Sequence, residues 1–199
     1  MQKFVLTIGR EFGSRGNAIG KMVADAYQIP YYDKNSLDQM IMQKHYIDQI
    51  DINRLDELFK SGLPIKLWSG TDKDLLREIY QYQSSLIEVF ARENGGVFIG
   101  RCSDYILKDF PNHLSVFFYA PIGVRINYLM NKYGLNLDTT QTLIERVDQS
   151  RHNYYKYFTK ENRGERHNKQ LFLDSSLLGV EGSADLLKMI IDRKFGENH

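Results

Sequence analysis

The 199-residue chain has a single cysteine, Cys102. One thiol closes no internal disulfide, and a cysteine metal site needs more ligands. This usage fits a reducing, cytoplasmic setting. The histidines (His45, His113, His152, His167 and His199) have no metal-ligand spacing. An excess of one charge is missing too. Against 26 Lys and Arg stand 25 Asp and Glu, a formal net charge of +1, so no global field argues for nucleic acid or acidic lipid as partner. No apolar run approaches the ~20 residues of a membrane span. The N-terminus lacks the basic head and apolar stretch of a signal peptide, and goes straight into Phe4-Val5-Leu6-Thr7-Ile8. There is no internal repeat and no low-complexity tract.

What is there suits one soluble domain with a real core: 42% apolar and 26% charged residues. Helix and strand signals alternate. Phe4 to Ile8 reads as a buried strand. Ile19, Met22, Val23 and Ala26 recur at helical spacing over residues 17–27, and Ile29-Pro30-Tyr31-Tyr32 reads as a short extended piece. Residues 34–94 predict two or three helices, punctuated at Ser61-Gly62-Leu63-Pro64 and Ser69-Gly70, the last over about 73–92. Strands are expected at 96–100, 114–119 and 171–173. Helices are expected at about 123–132 after Pro121, from Asp138-Thr139 with Leu143 and Val147 inward and Asp138 as cap, and at 181–193. Strands separated by helices argue for an α/β fold, a central parallel sheet with helices on both faces. Residues 34–94 then form a helical insertion within one domain spanning 1–199.

One stretch carries chemistry. LTIGREFGSRGNAIGKMV, Leu6 to Val23, is a strand, a glycine-rich turn and a helix start. The standard phosphate loop is G-x-x-x-x-G-K-[ST], whose amides wrap phosphates, whose Lys reaches the outer two and whose hydroxyl ligates magnesium. Laid from Gly9, the chain offers Ser14, Arg15 and Gly16 where the pattern has Gly, Lys and Ser/Thr. The lysine is missing. Gly9, Gly13 and Gly16 still permit unusual backbone angles, and a helix N-terminus attracts anions. Arg10 and Arg15 supply cations. Ser14 supplies a hydroxyl, out of the usual magnesium register. The bland alternative is a tight turn whose glycines serve geometry alone, and the residues leave both readings open.

Four other polar stretches follow strands, where ligands of open α/β sheets gather. They are Tyr32-Asp33-Lys34, Gly100-Arg101-Cys102-Ser103-Asp104, Arg146 to Tyr155, and Leu173-Asp174-Ser175-Ser176. Each has a plain reading: Asp33, Asp104 and Asp174 as helix caps, Arg101 as a surface ion pair, Cys102 as packing. Residues 146–169 form a basic cluster of Arg146, Arg151, Lys156, Lys160, Arg163, Arg166 and Lys169, either a solvated face or a lid bringing cations onto phosphates. Arg146 and Arg151 lie five apart, which does not place them squarely on one helix face; they converge if the helix ends or bends, or if both long side chains reach round. Tyr154, Tyr155, Tyr157 and Phe158 interleave there, as lid packing or as a base-stacking surface.

In order, IGREFGSRG, YYDK, FIGRCSDYIL, RVDQSRHNYYKYFT and LFLDSSLLGVEGSADLL resemble the cytidylate kinase-like family, a divergent branch of the bacterial cytidylate kinases. The resemblance covers nearly the whole chain. It implies a P-loop nucleoside monophosphate kinase-like three-layer fold with a helical acceptor-binding insertion (34–94) and a lid (146–169). It implies ATP-phosphate binding by Gly9, Arg10, Gly13, Ser14, Arg15, Gly16 and Asn17, and acceptor binding by Asp33 and Arg101. Cys102 stands where the parent GRD motif has Asp. Arg15, Arg146 and Arg151 are the expected catalytic cations, Asp174 matches a late aspartate of less defined role, and Ser14 is a weak magnesium candidate. The expected reaction moves the γ-phosphoryl of Mg-ATP to a nucleoside monophosphate, CMP or dCMP among the candidates. Two rivals stay open: a nucleotide sensor with a degenerate loop, reporting through the 34–94 helices in a homodimer, and a kinase for a non-nucleotide acceptor.

Overall fold

The computed structural model describes residues 3–43, 73–166 and 169–196. Five strands, β1 (Val5–Arg10), β2 (Tyr31–Tyr32), β3 (Gly96–Ile99), β4 (His113–Tyr119) and β5 (Leu171–Asp174), form one sheet in the order β2-β3-β1-β4-β5. Every pairing is parallel. The helices are α1 (Gly16–Tyr27), α2 (Lys34–Gln43), α3 (Lys73–Asn94), the short α4 (Ser103–Ile106), α5 (Ile122–Tyr133), α6 (Leu137–Thr159) and α7 (Ser175–Phe195). A parallel sheet forces helical crossovers, which cover both faces.

The strand period of two sorts the core into layers. Leu6, Ile8, Val97, Ile99, Leu114, Val116 and Phe118 face Ile19 and Val23 of α1 and Leu187 and Ile191 of α7, all buried. On the other face Val5, Tyr32 and Phe98 meet Leu37 of α2 and Ile87 and Ala91 of α3. That face turns polar beside β4: buried Thr7, His113 and Ser115 lie on it. A third cluster, Ile126, Leu129 and Ile144 with Phe12 packed on it, joins α5 and α6 to the loop after β1.

The insertion is helical at both described ends, with α3 as expected and α2 at its start; the punctuation at 61–64 and 69–70 lies outside the described residues. Three expectations need correction. Asn136 caps α6, accepting from the Thr139 N–H at 2.9 Å, so Asp138 falls in the first turn. The buried side chains of α6 are Thr140, Ile144, Tyr155 and Thr159, while Leu143 and Val147 are half-buried. The last helix begins at Ser175 and kinks at Gly179, whose φ of 68° explains why periodicity alone starts it later. Among the described residues no helix is long and apolar enough to cross a membrane.

Candidate active site

The turn after β1 is drawn tight against its neighbours. A Cβ on Gly16 would meet Arg10 Cβ at 2.9 Å, and one on Gly9 would meet Phe117 Cδ2 at 2.6 Å. Gly13 takes φ 87° and lies on Arg125 and Leu129 of α5. Neighbouring side chains fill the space that a Cβ would need, so only glycine fits at these positions. Ser14 is buried and donates to the Glu11 carbonyl at 2.9 Å, so its hydroxyl closes the turn. Arg15 caps α1 with left-handed φ 61°, is exposed, and lies over the Tyr128 ring. Arg10 instead turns into the cleft, its Nε donating 2.7 Å to Asn17 Oδ1.

The turn after β3 is strained. Gly100, Arg101 and Cys102 take φ 68°, 58° and 58° in succession. Left-handed backbone costs a non-glycine residue ~1 kcal/mol or more, and such strain gathers at functional sites. Here it throws the Arg101 side chain under α2. There a guanidinium N–H meets Asp38 Oδ1; the two side chains are 7% and 8% exposed, and Lys34 Nζ lies 3.4 Å from the other Asp38 oxygen. Burial raises the Asp38 carboxyl above its ordinary value despite the pull of Arg101 and Lys34. Arg101 lies over Tyr154, its carbonyl accepts from Gln83, and among the described residues its buried Nε has no hydrogen-bond partner. Cys102 is buried and its thiol is pushed well up by burial, then by Asp104, which makes it a packing group.

The segment expected as a lid packs against the turn after β1. Arg151 of α6 donates to the Arg10 carbonyl at 3.2 Å, and Arg163, beyond the helix end, donates to the same oxygen. Asp148 faces both, at 3.9 and 3.7 Å, receives the Phe12 N–H at 2.9 Å, and binds Arg125 at 2.6 Å. The chain after α6 rests on Phe117, with Gly164 close enough that a Cβ would lie 3.1 Å from the ring and with Arg163 stacked over it. Below, Asp104 binds Lys169 and accepts from the Tyr155 hydroxyl at 2.9 Å, tying the lid to the turn after β3. The lid aromatics pack: Phe158 stacks on Tyr80 of α3 at 4.1 Å, with Tyr154 and Tyr157 edge-on.

Arg10, Arg101, Arg151 and Arg163 therefore cluster, close enough that the other three each oppose the Arg10 charge. Burial first, then mutual repulsion, holds Arg10 well below its ordinary value and Arg151 at about 10. Burial lowers Arg163 as well. Perturbed, crowded cations in a cleft mark a site for anions. Arg146 is not among them. It is exposed on α6, which runs unbroken through Arg151 to Thr159, so residues five apart stay on different sides. Asp33 Oδ1 accepts from the Ser36 N–H at 2.9 Å, and Asp174 from Ser176 at 2.8 Å; both cap helices. Asp104, by contrast, is a buried ion-pair partner and caps nothing.

Sequence reasoning passes over Asp38, Arg125 and Asp148, and leaves Arg163 unselected in its basic cluster. Arg163 carries a weak signal in its Arg-Gly pair past the helix. Asp38 carries another, standing four residues after Lys34.

Comparison with known proteins fits this geometry. A search of curated proteins finds no match. The chain is similar in structure to an uncharacterized protein from Eubacterium ventriosum ATCC 27560, at 24% identity and TM-score 0.74, covering 96% of this chain and 99% of that one. It is similar also to shikimate kinase from Bacteroides thetaiotaomicron (14%, TM-score 0.56, covering 96% and 99%) and to a gluconokinase from Sinorhizobium meliloti 1021 (13%, TM-score 0.53, covering 99% and 98%). At these identities the likeness is one of fold, the α/β fold of P-loop kinases. The model of the cytidylate kinase-like family matches residues 5–177, most of the chain, and the protein belongs to that family.

Proposed function

We propose that the protein is an ATP-dependent phosphotransferase that moves the γ-phosphoryl of Mg-ATP onto a nucleoside monophosphate. The observation that carries this reading is the convergence of Arg10, Arg101, Arg151 and Arg163 between a glycine-rich helix N-terminus and a strained turn. Phosphoryl transfer asks the protein for positioning and charge neutralisation. The bond from the γ-phosphorus to the bridging oxygen breaks, one to an acceptor phosphate oxygen forms, and ADP leaves. Loop amides hold the donor, Arg101 holds the acceptor, and Arg151 and Arg163 cover the transferring group and exclude water. Magnesium supplies charge when bound to the donor phosphates. It needs few protein ligands and keeps several waters.

Coupled ADP release with Mg-ATP against CMP, dCMP, UMP, AMP and GMP tests the proposal. Turnover with one monophosphate, lost in Arg101→Ala, supports it. ATP binding without turnover on any of them removes the nucleotide acceptor; shikimate and gluconate are then the next acceptors to try, since kinases of this fold act on such molecules. The sensor reading draws on one observation, the exposed position of Arg15 at the lysine's register. ATP binding with no turnover on any acceptor is its expected signature.

A further inference from the structure

A phosphate loop normally places its cation at the lysine register, which Arg15 holds here. Arg15 is exposed. Its guanidinium lies 5.3 Å from the centre of the Tyr128 ring on α5. Arg10 is placed otherwise. Its Nε is fixed by Asn17 in the first turn of α1, and its Nη1 fills the space that a Cβ on Gly100 would need. Its head therefore spans from the donor loop to the turn that carries Arg101.

Arg10 also differs in its counter-ions. Arg101 has Asp38, and Arg151 and Arg163 face Asp148. Among the described residues no carboxylate pairs with Arg10, whose side chain donates to the neutral oxygen of Asn17. Arg151, Arg163 and Arg101 each oppose its charge. A cation crowded by like charges, with no anion of its own, costs free energy that an incoming phosphate returns. A Walker lysine stands beside the outer donor phosphates, at the end of the same loop.

We infer that Arg10, not Arg15, supplies the cation of the missing lysine, and that its ligand is the outer phosphates of a nucleoside triphosphate. This rests on the phosphotransferase reading. It differs from a lysine site in one respect: the planar fork of Arg10 engages two phosphate oxygens at once, where an ammonium acts as a point charge.

The test is calorimetric titration of the full chain with ATP, ADP and inorganic tripolyphosphate, for wild type, Arg10→Ala, Arg10→Lys and Arg15→Ala. Arg10→Ala is expected to weaken ATP and tripolyphosphate about tenfold or more, as loss of a charge-assisted pair does. The loss should grow from ADP to ATP. Arg10→Lys should recover part of it, and Arg15→Ala should lose about threefold or less. If circular dichroism shows Arg10→Ala unfolded, Arg10→Gln takes its place. Wild-type affinity in the Arg10 variants, or a larger loss in Arg15→Ala, overturns the inference. Turnover alongside unaffected Arg10 binding overturns it alone and leaves the phosphotransferase standing. An Arg10-dependent tripolyphosphate site in a chain that turns over no acceptor keeps the inference and ends the phosphotransferase reading. If the wild type binds neither ATP nor tripolyphosphate, both fall.

Discussion

Two neighbouring strands end in the same tripeptide. Ile8-Gly9-Arg10 closes β1 and Ile99-Gly100-Arg101 leaves β3, with Ile8 and Ile99 paired in parallel register. Their arginines nonetheless meet different fates. β1 runs on beside β4, where Gly9 and Arg10 pair with Phe117 and Phe118, so the Arg10 backbone stays in the ladder and offers its carbonyl to the lid. β3 breaks at once, and three left-handed residues turn Arg101 onto Asp38. One arginine carries a built-in anion and the other does not. A shared motif thus fixes where a cation leaves the sheet, while the neighbouring elements decide whether a protein carboxylate already stands beside it.

The largest expected effect comes from breaking the paired side. Arg101→Ala leaves Asp38 buried with Lys34 alone. Turnover should fall about 100-fold or more, since a fixed phosphate contact is lost, and stability should fall by about 3 kcal/mol, as when one half of a buried pair is removed. A urea midpoint unchanged in Arg101→Ala would contradict the pairing. The double variant Arg101→Met with Asp38→Leu sharpens the point: it should regain most of the stability and none of the turnover.

The unpaired side should respond in the opposite sense. Arg10→Ala, expected to weaken ATP, should leave stability unchanged within about 0.5 kcal/mol or raise it, because it relieves like-charge crowding. A thermal melt that falls as far as that of Arg101→Ala would erase the contrast between the two arginines.

Asp148 asks whether the lid follows the paired or the unpaired pattern. It gathers Arg125, Arg151, Arg163 and the Phe12 amide. Asp148→Asn keeps an amide acceptor but withdraws the charge. We expect a loss of about 1–2 kcal/mol in denaturant unfolding and about tenfold in turnover. Turnover at the wild-type level would mean that the lid arginines need no anion to hold them.

Local pattern carried most of the fold. The buried strands are continuous apolar runs, and glycines and Pro121 mark their ends, so alternation of β and α was legible. So was the glycine turn, because strand, glycines and helix adjoin in sequence. The partners of its charges were not. Asp38 reaches Arg101 across 63 residues, Arg151 and Arg163 reach Arg10 across 141 and 153, and Asp104 meets Lys169 across 65. Helical spacing constrains Arg146 against Arg151, but it says nothing of Arg163, which the chain brings back only after α6 has ended. The exposed position of Arg15 is likewise set by Tyr128, over 100 residues away, and not by its place in the motif.

An effect on stability alone, with none expected on turnover, lies at the other end of the same strands, where the polar group is neutral. Val5 of β1 pairs with His113 at the start of β4, and His113 Nε2 lies 2.7 Å from Thr7 Oγ1 beside a cavity of about 290 Å³ lined also by Asp104, Tyr155 and Lys169. Burial pushes the imidazole down from 6.5 to about 4, and the nearby Asp104 carboxylate only moderates this. Below pH 6.5 the unfolded chain therefore takes up a proton that the folded chain refuses. Stability is full above 6.5, falls as the pH drops towards about 4, and levels off below it, a total of at most about 3 kcal/mol. Asp38, raised by burial, works in the opposite direction and offsets part of the loss at the acid end. The guanidiniums of the cleft stay charged throughout this window and contribute no slope. Urea midpoints measured from pH 7 to pH 4 should slope downward in the wild type and lose most of that slope in His113→Gln. A slope that persists in the variant would move the titrating group away from this end of the sheet and towards the carboxylates that hold the arginines.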